Sequence, residues 1–138
     1  MCSGGDDGSL RVWDIRKPDK PVFKNYTHDH WIWGVEFNRF HDSLLLSCGS
    51  DYNIVLSSIF NSIQTPVLAF DELESDDDGD ILRNFQNDGI VNVYNSHKDS
   101  VYSACWSLFD PWIFTGLSYD GRFSINFVPK DQKDKILL

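Results

Sequence analysis

Apolar residues recur along the chain in short runs of about five, or alternate with polar ones, and each run is closed by turn-forming residues. No long stretch repeats at helical spacing. This pattern predicts an all-β fold with strands at Ser9 to Asp14, Val22 to Tyr26, Ile32 to Asn38, Leu44 to Cys48, Ile54 to Ser58, Ile90 to Asn95, Val101 to Ser107, Ile113 to Leu117 and Arg122 to Val128. Asp7-Gly8 and Asp120-Gly121 are hairpin dipeptides, and Asp110-Pro111 forces a bend between two strands.

The strand pattern is itself repeated, and a repeat decides the fold before any single element does. "HDHWIWGVEFNRFHDSLLLSCGSD", from His28 to Asp51, superimposes without a gap on "HKDSVYSACWSLFDPWIFTGLSYD", from His97 to Asp120. Both place His first and Asp 23 residues later, with aromatics at the sixth (Trp33, Tyr102) and tenth (Phe37, Trp106) positions. After the Asp, "NIVLSS" and "RFSINF" stand where "SLRVWD" follows Asp7. Three copies are therefore expected, the first lacking its start.

Four short strands per unit, with a leading His, an Asp before the third strand and Trp-Asp at its end, resemble the WD40 repeat of β-propellers. The resemblance implies a hydrogen-bonded set of a second-strand Ser or Thr, the His, the turn Asp and the Trp. Carried over, the first copy keeps Ser3, Asp7 and Trp13, the second His28, Ser47 and Asp51, and the third His97 and Asp120. Ser57-Ser58 and Asn126-Phe127 replace Trp-Asp in the later copies, and Gly116 occupies the Ser place in the third, so those sets are expected to be incomplete. The organisation read from the chain is one propeller part: 1–20 the end of a truncated repeat, 21–59 a repeat, 60–89 an acidic disordered insertion in the loop between third and fourth strands, 90–129 a repeat, and 130–138 a tail. That amounts to about two and a half to three blades of a larger, seven-bladed ring, the last lacking its fourth strand. A ring of this kind needs about four to eight blades to close.

Composition narrows the function. The chain has 138 residues, 41% hydrophobic and 14% aromatic, enough for a packed core. No apolar run is long enough to span a membrane. Cys2, Cys48 and Cys105 form no CxxC pair, which points to free thiols, two of them in apolar runs, and to the cytosol. Seven of the residues behind the net charge of −9 sit in "DELESDDDGD" (71–80), so the remainder is nearly neutral and no basic patch marks a direct nucleic-acid ligand. Like charges at that density resist burial. "DDDGD" lacks the ligand spacing of a calcium loop, whereas Ser75 before three Asp fits an acidophilic kinase site. Ser47, His28 and Asp51 have the makings of a nucleophilic triad, but the repetition of the His-to-Asp spacing marks a scaffold feature. His28 and His30 stand two apart without the supporting ligands of a metal motif. No cofactor is implied. Trp31, Trp33, Trp106 and Trp112 are expected between blades, with Trp31 near a loop and the first candidate for a partner contact.

Beyond the generic repeat, "HDHWIWGVEFNRFHDSLLLSCGSDYNIVLS" (28–57), the acidic insertion, "HKDSVYSACWSLFDPWIFTGLSYDGRFSINFVP" (97–129) and the terminal "ILL" resemble the EARP and GARP complex-interacting proteins. That resemblance implies the C-terminal part of a longer cytosolic propeller, with no catalysis and no membrane insertion. Its implied partners are multisubunit vesicle-tethering complexes at the trans-Golgi network and recycling endosomes. The implied role is in retrograde traffic, recycling and dense-core vesicle cargo sorting. An alternative binding role rests on Trp13-Asp14-Ile15-Arg16, which resembles the WDxR signature of cullin-RING ubiquitin ligase substrate receptors.

Overall fold

In a computed structural model, residues 1–64 and 88–138 are described. Their strands form three antiparallel sheets. The first joins β1 (Cys2–Gly4), β2 (Ser9–Val12) and β3 (Phe23–Tyr26); the second β4 (Ile32–Phe37), β5 (Leu44–Gly49), β6 (Ile54–Ser58) and β7 (Gly89–Tyr94); the third β8 (Val101–Trp106), β9 (Ile113–Ser118) and β10 (Phe123–Phe127). Each sheet is an unbroken meander, as expected of propeller blades, and the sheets do not close into a barrel. All nine expected strands are present with ends shifted by at most two residues. β1 was not expected, because Met-Cys-Ser-Gly offers no alternation to read. It forms by pairing Cys2, Ser3 and Gly4 with Val12, Arg11 and Leu10 across the Asp7-Gly8 turn, where Gly8 takes φ +76.

The middle sheet is packed on both faces, which explains why every residue of β5 and β6 is buried. Alternation along β5 sends Leu45 toward Leu10, Val12 and Ile59 on one side, and Leu44, Leu46 and Cys48 toward Val101, Trp106 and Phe114 on the other. Each fully buried Leu or Ile contributes about 1.5–3 kcal/mol of transfer free energy. Polar ties register the second and third sheets: Trp106 donates its backbone N–H to Glu36 Oε2 at 3.1 Å and its indole N–H to the Glu36 carbonyl at 3.3 Å, while Asn38 donates to the Pro111 carbonyl at 2.7 Å. His41 stacks on Trp112 with centroids 4.8 Å apart. Trp106 and Trp112 are thus inter-sheet packing residues.

Among the described residues, two helices lie where none was expected. α1 (Phe60–Gln64) is one short stretch at the start of the 60–89 insertion. Asp88 caps it from the other end of that connection, accepting the Asn61 and Ser62 backbone N–H groups at 2.9 and 2.6 Å. α2 (Lys130–Leu137) replaces the expected tail; Ile136 packs on the core, Lys133 lies over Trp112, and Asp131 and Lys135 match the helix dipole at its two ends. Eight residues with one buried-side contact are too few to show a helical period. The acidic run 71–80 with Ser75 lies outside the described residues. No described helix is long and apolar enough to cross a membrane.

Candidate functional site

The repeat's polar residues fall into three relays at the turns between second and third strands. In the first sheet, Trp13 donates its indole N–H to Ser3 Oγ at 2.9 Å. Asp7 turns instead to Ser9, accepting its backbone N–H at 3.1 Å and its hydroxyl at 2.7 Å, and pairs with Arg11 at 2.8 Å. Those Ser9 bonds, with Arg11 adding, hold the Asp7 carboxyl below its usual range.

In the second sheet the relay contains a histidine. Asp51, ionised, can only accept, so His28 Nδ1–H donates to Asp51 Oδ1 at 2.8 Å and, in the neutral ring, Nε2 accepts the Ser47 hydroxyl at 2.9 Å. This is the connectivity of an acyl-transfer triad, yet Ser47 is 0% exposed and His28 is buried beside it, leaving no approach for a substrate. The arrangement instead pins the loop before β4 to the β5–β6 turn. Ser57, in the Trp place, leaves its buried hydroxyl without a partner. His30 is engaged with the hydroxyl of Ser50, the neighbour of Asp51, so the two imidazoles tie the loop before β4 to the same β5–β6 turn.

The third relay is rewired. His97 does not meet Asp120 directly: its Nδ1 bonds Ser118 Oγ at 2.9 Å, and Ser118 in turn donates to Asp120. At the other ring nitrogen, Ser124 Oγ lies 2.8 Å away, and Asn126, in the Trp place, donates to Ser124 at 2.9 Å. Ser124 stands across the ladder from Gly116, as Val55 stands across from Ser47. The hydroxyl has therefore moved to the neighbouring strand on the same face, and the third relay is longer rather than incomplete. Gly116 is kept bare by its neighbour, since a Cβ there would lie 2.2 Å from Ile54 Cδ1. Conversely Gly49, in the Ser118 place, leaves His28 and Asp51 their direct contact; a Cβ would lie 3.0 Å from His28 Nδ1. Ser118, Ser124 and Asn126 were missed because the signal lies in cross-strand register, not in position along the repeat.

The Trp13-Asp14-Ile15-Arg16 stretch follows β2. Arg16 folds back on Asp14, with Nη2 to Oδ2 at 2.6 Å and its backbone N–H to Oδ1 at 3.0 Å, and these bonds lower the Asp14 pKa to about 2.

A second constellation is aromatic. Trp31 packs edge-on against Trp33 (5.8 Å between centroids), Trp33 meets Tyr102 of the third sheet (5.6 Å), and Tyr102 meets Tyr119 (5.5 Å), with His30 against Trp31 at the near end (5.1 Å). Trp33 and Tyr102 occupy the same repeat position. Both sit at register shifts, between Ile32 and Gly34 in β4 and between Val101 and Ser103 in β8. Trp31 and Trp33, expected between blades, lie on this half-exposed ladder.

The meanders and the repeated His-to-Asp register define a class of protein, and the profile of the WD domain, G-beta repeat, matches residues 1–14 and 89–125. The matched segments are WD40 repeats. Along its whole length it is 40% identical to the EARP-interacting protein homolog of Gekko japonicus and 38% identical to EARP and GARP complex-interacting protein 1 of Homo sapiens. Over 96% of the chain it is 40% identical to EARP-interacting protein 1 of Caenorhabditis elegans. The chain spans 37% of the length of each of these relatives.

Proposed function

We propose that this chain is part of a non-enzymatic WD40 adaptor that binds the EARP and GARP vesicle-tethering complexes, acts in endosomal recycling and endosome-to-Golgi retrograde traffic, and sits in the cytoplasm against recycling endosomes and the trans-Golgi network. The observation that carries this reading is the match along the whole of this chain, at 38–40% identity, to proteins named for interacting with those complexes. The buried relays support it from the chemical side: the triad-like set of Ser47, His28 and Asp51 is sealed in a turn. The depression lined by Ser58, Phe60, Asn61, Gln132 and Lys135 shares no residue with any relay. Affinity capture on the full-length protein tests the proposal. Recovery of tethering-complex subunits is expected; recovery of a cullin-ligase adaptor subunit in their place would transfer the role to the WDxR stretch, whose Arg16 is tied to Asp14.

A further inference from the structure

Aromatic rings of this size are normally drawn into a core or paired at an interface. Here Trp31, Trp33, Tyr102 and Tyr119 stand in a continuous row, each between 45 and 71% exposed. Two of them are put there by β-bulges, which sacrifice ladder regularity and re-aim a side chain. Because the same device recurs at the same repeat position in β4 and β8, the outward turn of Trp33 and Tyr102 is a property of the repeat rather than of one strand.

The faces of such rings attract cations, and the surrounding charge has the matching sign. The turns 5–8, 27–31, 50–53, 95–100 and 119–122 carry six carboxylates against Lys98 and Arg122. Arg122 is already engaged by Asp120 at 3.4 Å. Asp29 adjoins His30 at one end of the row. At the other end Asp99 adjoins Ser100, whose carbonyl accepts the Tyr119 N–H at 2.9 Å. Neither Asp29 nor Asp99 forms an ion pair among the described residues. Successive rings of the row are 5.5 to 5.8 Å apart, close to the separation of about 6.6 Å between alternate side chains of an extended peptide.

Resting on the reading of this chain as an interaction module, we propose that the Trp31–Trp33–Tyr102–Tyr119 row is the docking strip for an extended segment of a protein partner. That segment carries arginine or lysine at alternate positions, seats its cations over Trp33 and Tyr102, and is flanked by Asp29 and Asp99. Phosphate backbones are repelled by the same carboxylates. The sheet supplies preorganised rings, so the ordering cost falls mainly on the incoming peptide.

The test uses the full-length protein and a fluorescein-labelled peptide of alternating Ser and Arg, with the isosteric citrulline peptide as the uncharged control, read by anisotropy. The arginine peptide should bind at least about tenfold more tightly than the citrulline one, a difference within reach of two cation–π contacts plus screened charge. Trp33→Leu and Tyr102→Leu should each weaken it about fivefold, and Tyr102→Phe should restore most of the loss. Equal binding of the two peptides overturns the proposal. So does arginine-peptide binding that survives the two Leu variants, which would assign it to the acidic stretch 71–80. Unchanged thermal midpoints in the Leu variants separate lost contacts from lost folding. The two readings fail separately: wild-type capture of tethering-complex subunits that persists undiminished in Trp33→Leu and Tyr102→Leu sinks the strip alone, while wild-type capture of none sinks the adaptor reading and leaves the peptide titration to decide the strip.

Discussion

At the scale of single residues, the relays show one hydrogen-bonding task solved in two ways. The second copy places Ser at 47 and Gly at 49; the third places Gly at 116 and Ser at both 118 and 124. Restoring the family residue alone with Gly116→Ser should therefore destabilise by about 1–3 kcal/mol, because the new side chain overlaps Ile54 Cδ1 in a filled core. Adding Ile54→Val removes that methyl and should recover part of the loss, so chemical-denaturation midpoints of the two single variants and the double variant should show coupling. The cysteines give a second residue-level expectation. Burial pushes the Cys48 thiol up to about 11, while Cys105 is exposed. Since only the thiolate reacts, iodoacetamide at pH 8 should label Cys105 first and Cys48 only on unfolding. Two of the three thiols were expected inside apolar packing; Cys105 departs because its strand β8 has one face open, where its Sγ meets Thr115 Oγ1.

At the scale of elements, the connection between β6 and β7 is closed by Asp88, whose carboxylate ties the start of α1 to the start of β7. That contact spans 26 to 27 residues and holds the two ends of the insertion together. Asp88→Ala should cost about 1 kcal/mol, as loss of a helix cap does. It should also speed hydrogen exchange at the Asn61 and Ser62 amides without affecting β5. Unchanged exchange at those two amides would show that the cap does not hold the helix.

At the scale of the whole molecule, the middle sheet is covered on both faces but the third is not. Phe123, Ile125 and Phe127 alternate along β10 on one face, each more than half exposed, and β10 is the edge of its sheet among the described residues. An apolar face beside an unpaired edge is a template for association. The 138-residue chain by itself should therefore self-associate as its concentration rises in sedimentation velocity, and Ile125→Lys should return it toward monomer. A chain that stays monomeric at all concentrations would show that this face needs no cover.

The sequence by itself determined the strands, their grouping into repeats and the His-to-Asp register, because period-2 alternation and turn dipeptides act over a few residues and recur from copy to copy. It was enough to reach the WD40 class from Ser3, Asp7, Trp13, His28, Ser47, Asp51, His97 and Asp120, but it placed Trp31 and Trp33 between blades rather than on a half-exposed row. Only the tertiary structure decided how the relays are wired, since whether Ser124 replaces the missing serine at 116 depends on which residues face each other across a ladder. Tertiary structure also settled the fates of the tryptophans. Trp106 and Trp112 are held between sheets by Glu36 and His41, whereas bulged β4 turns Trp33 outward beside Trp31. Burial is a property of what packs against a residue, and those neighbours come from strands about 70 positions away.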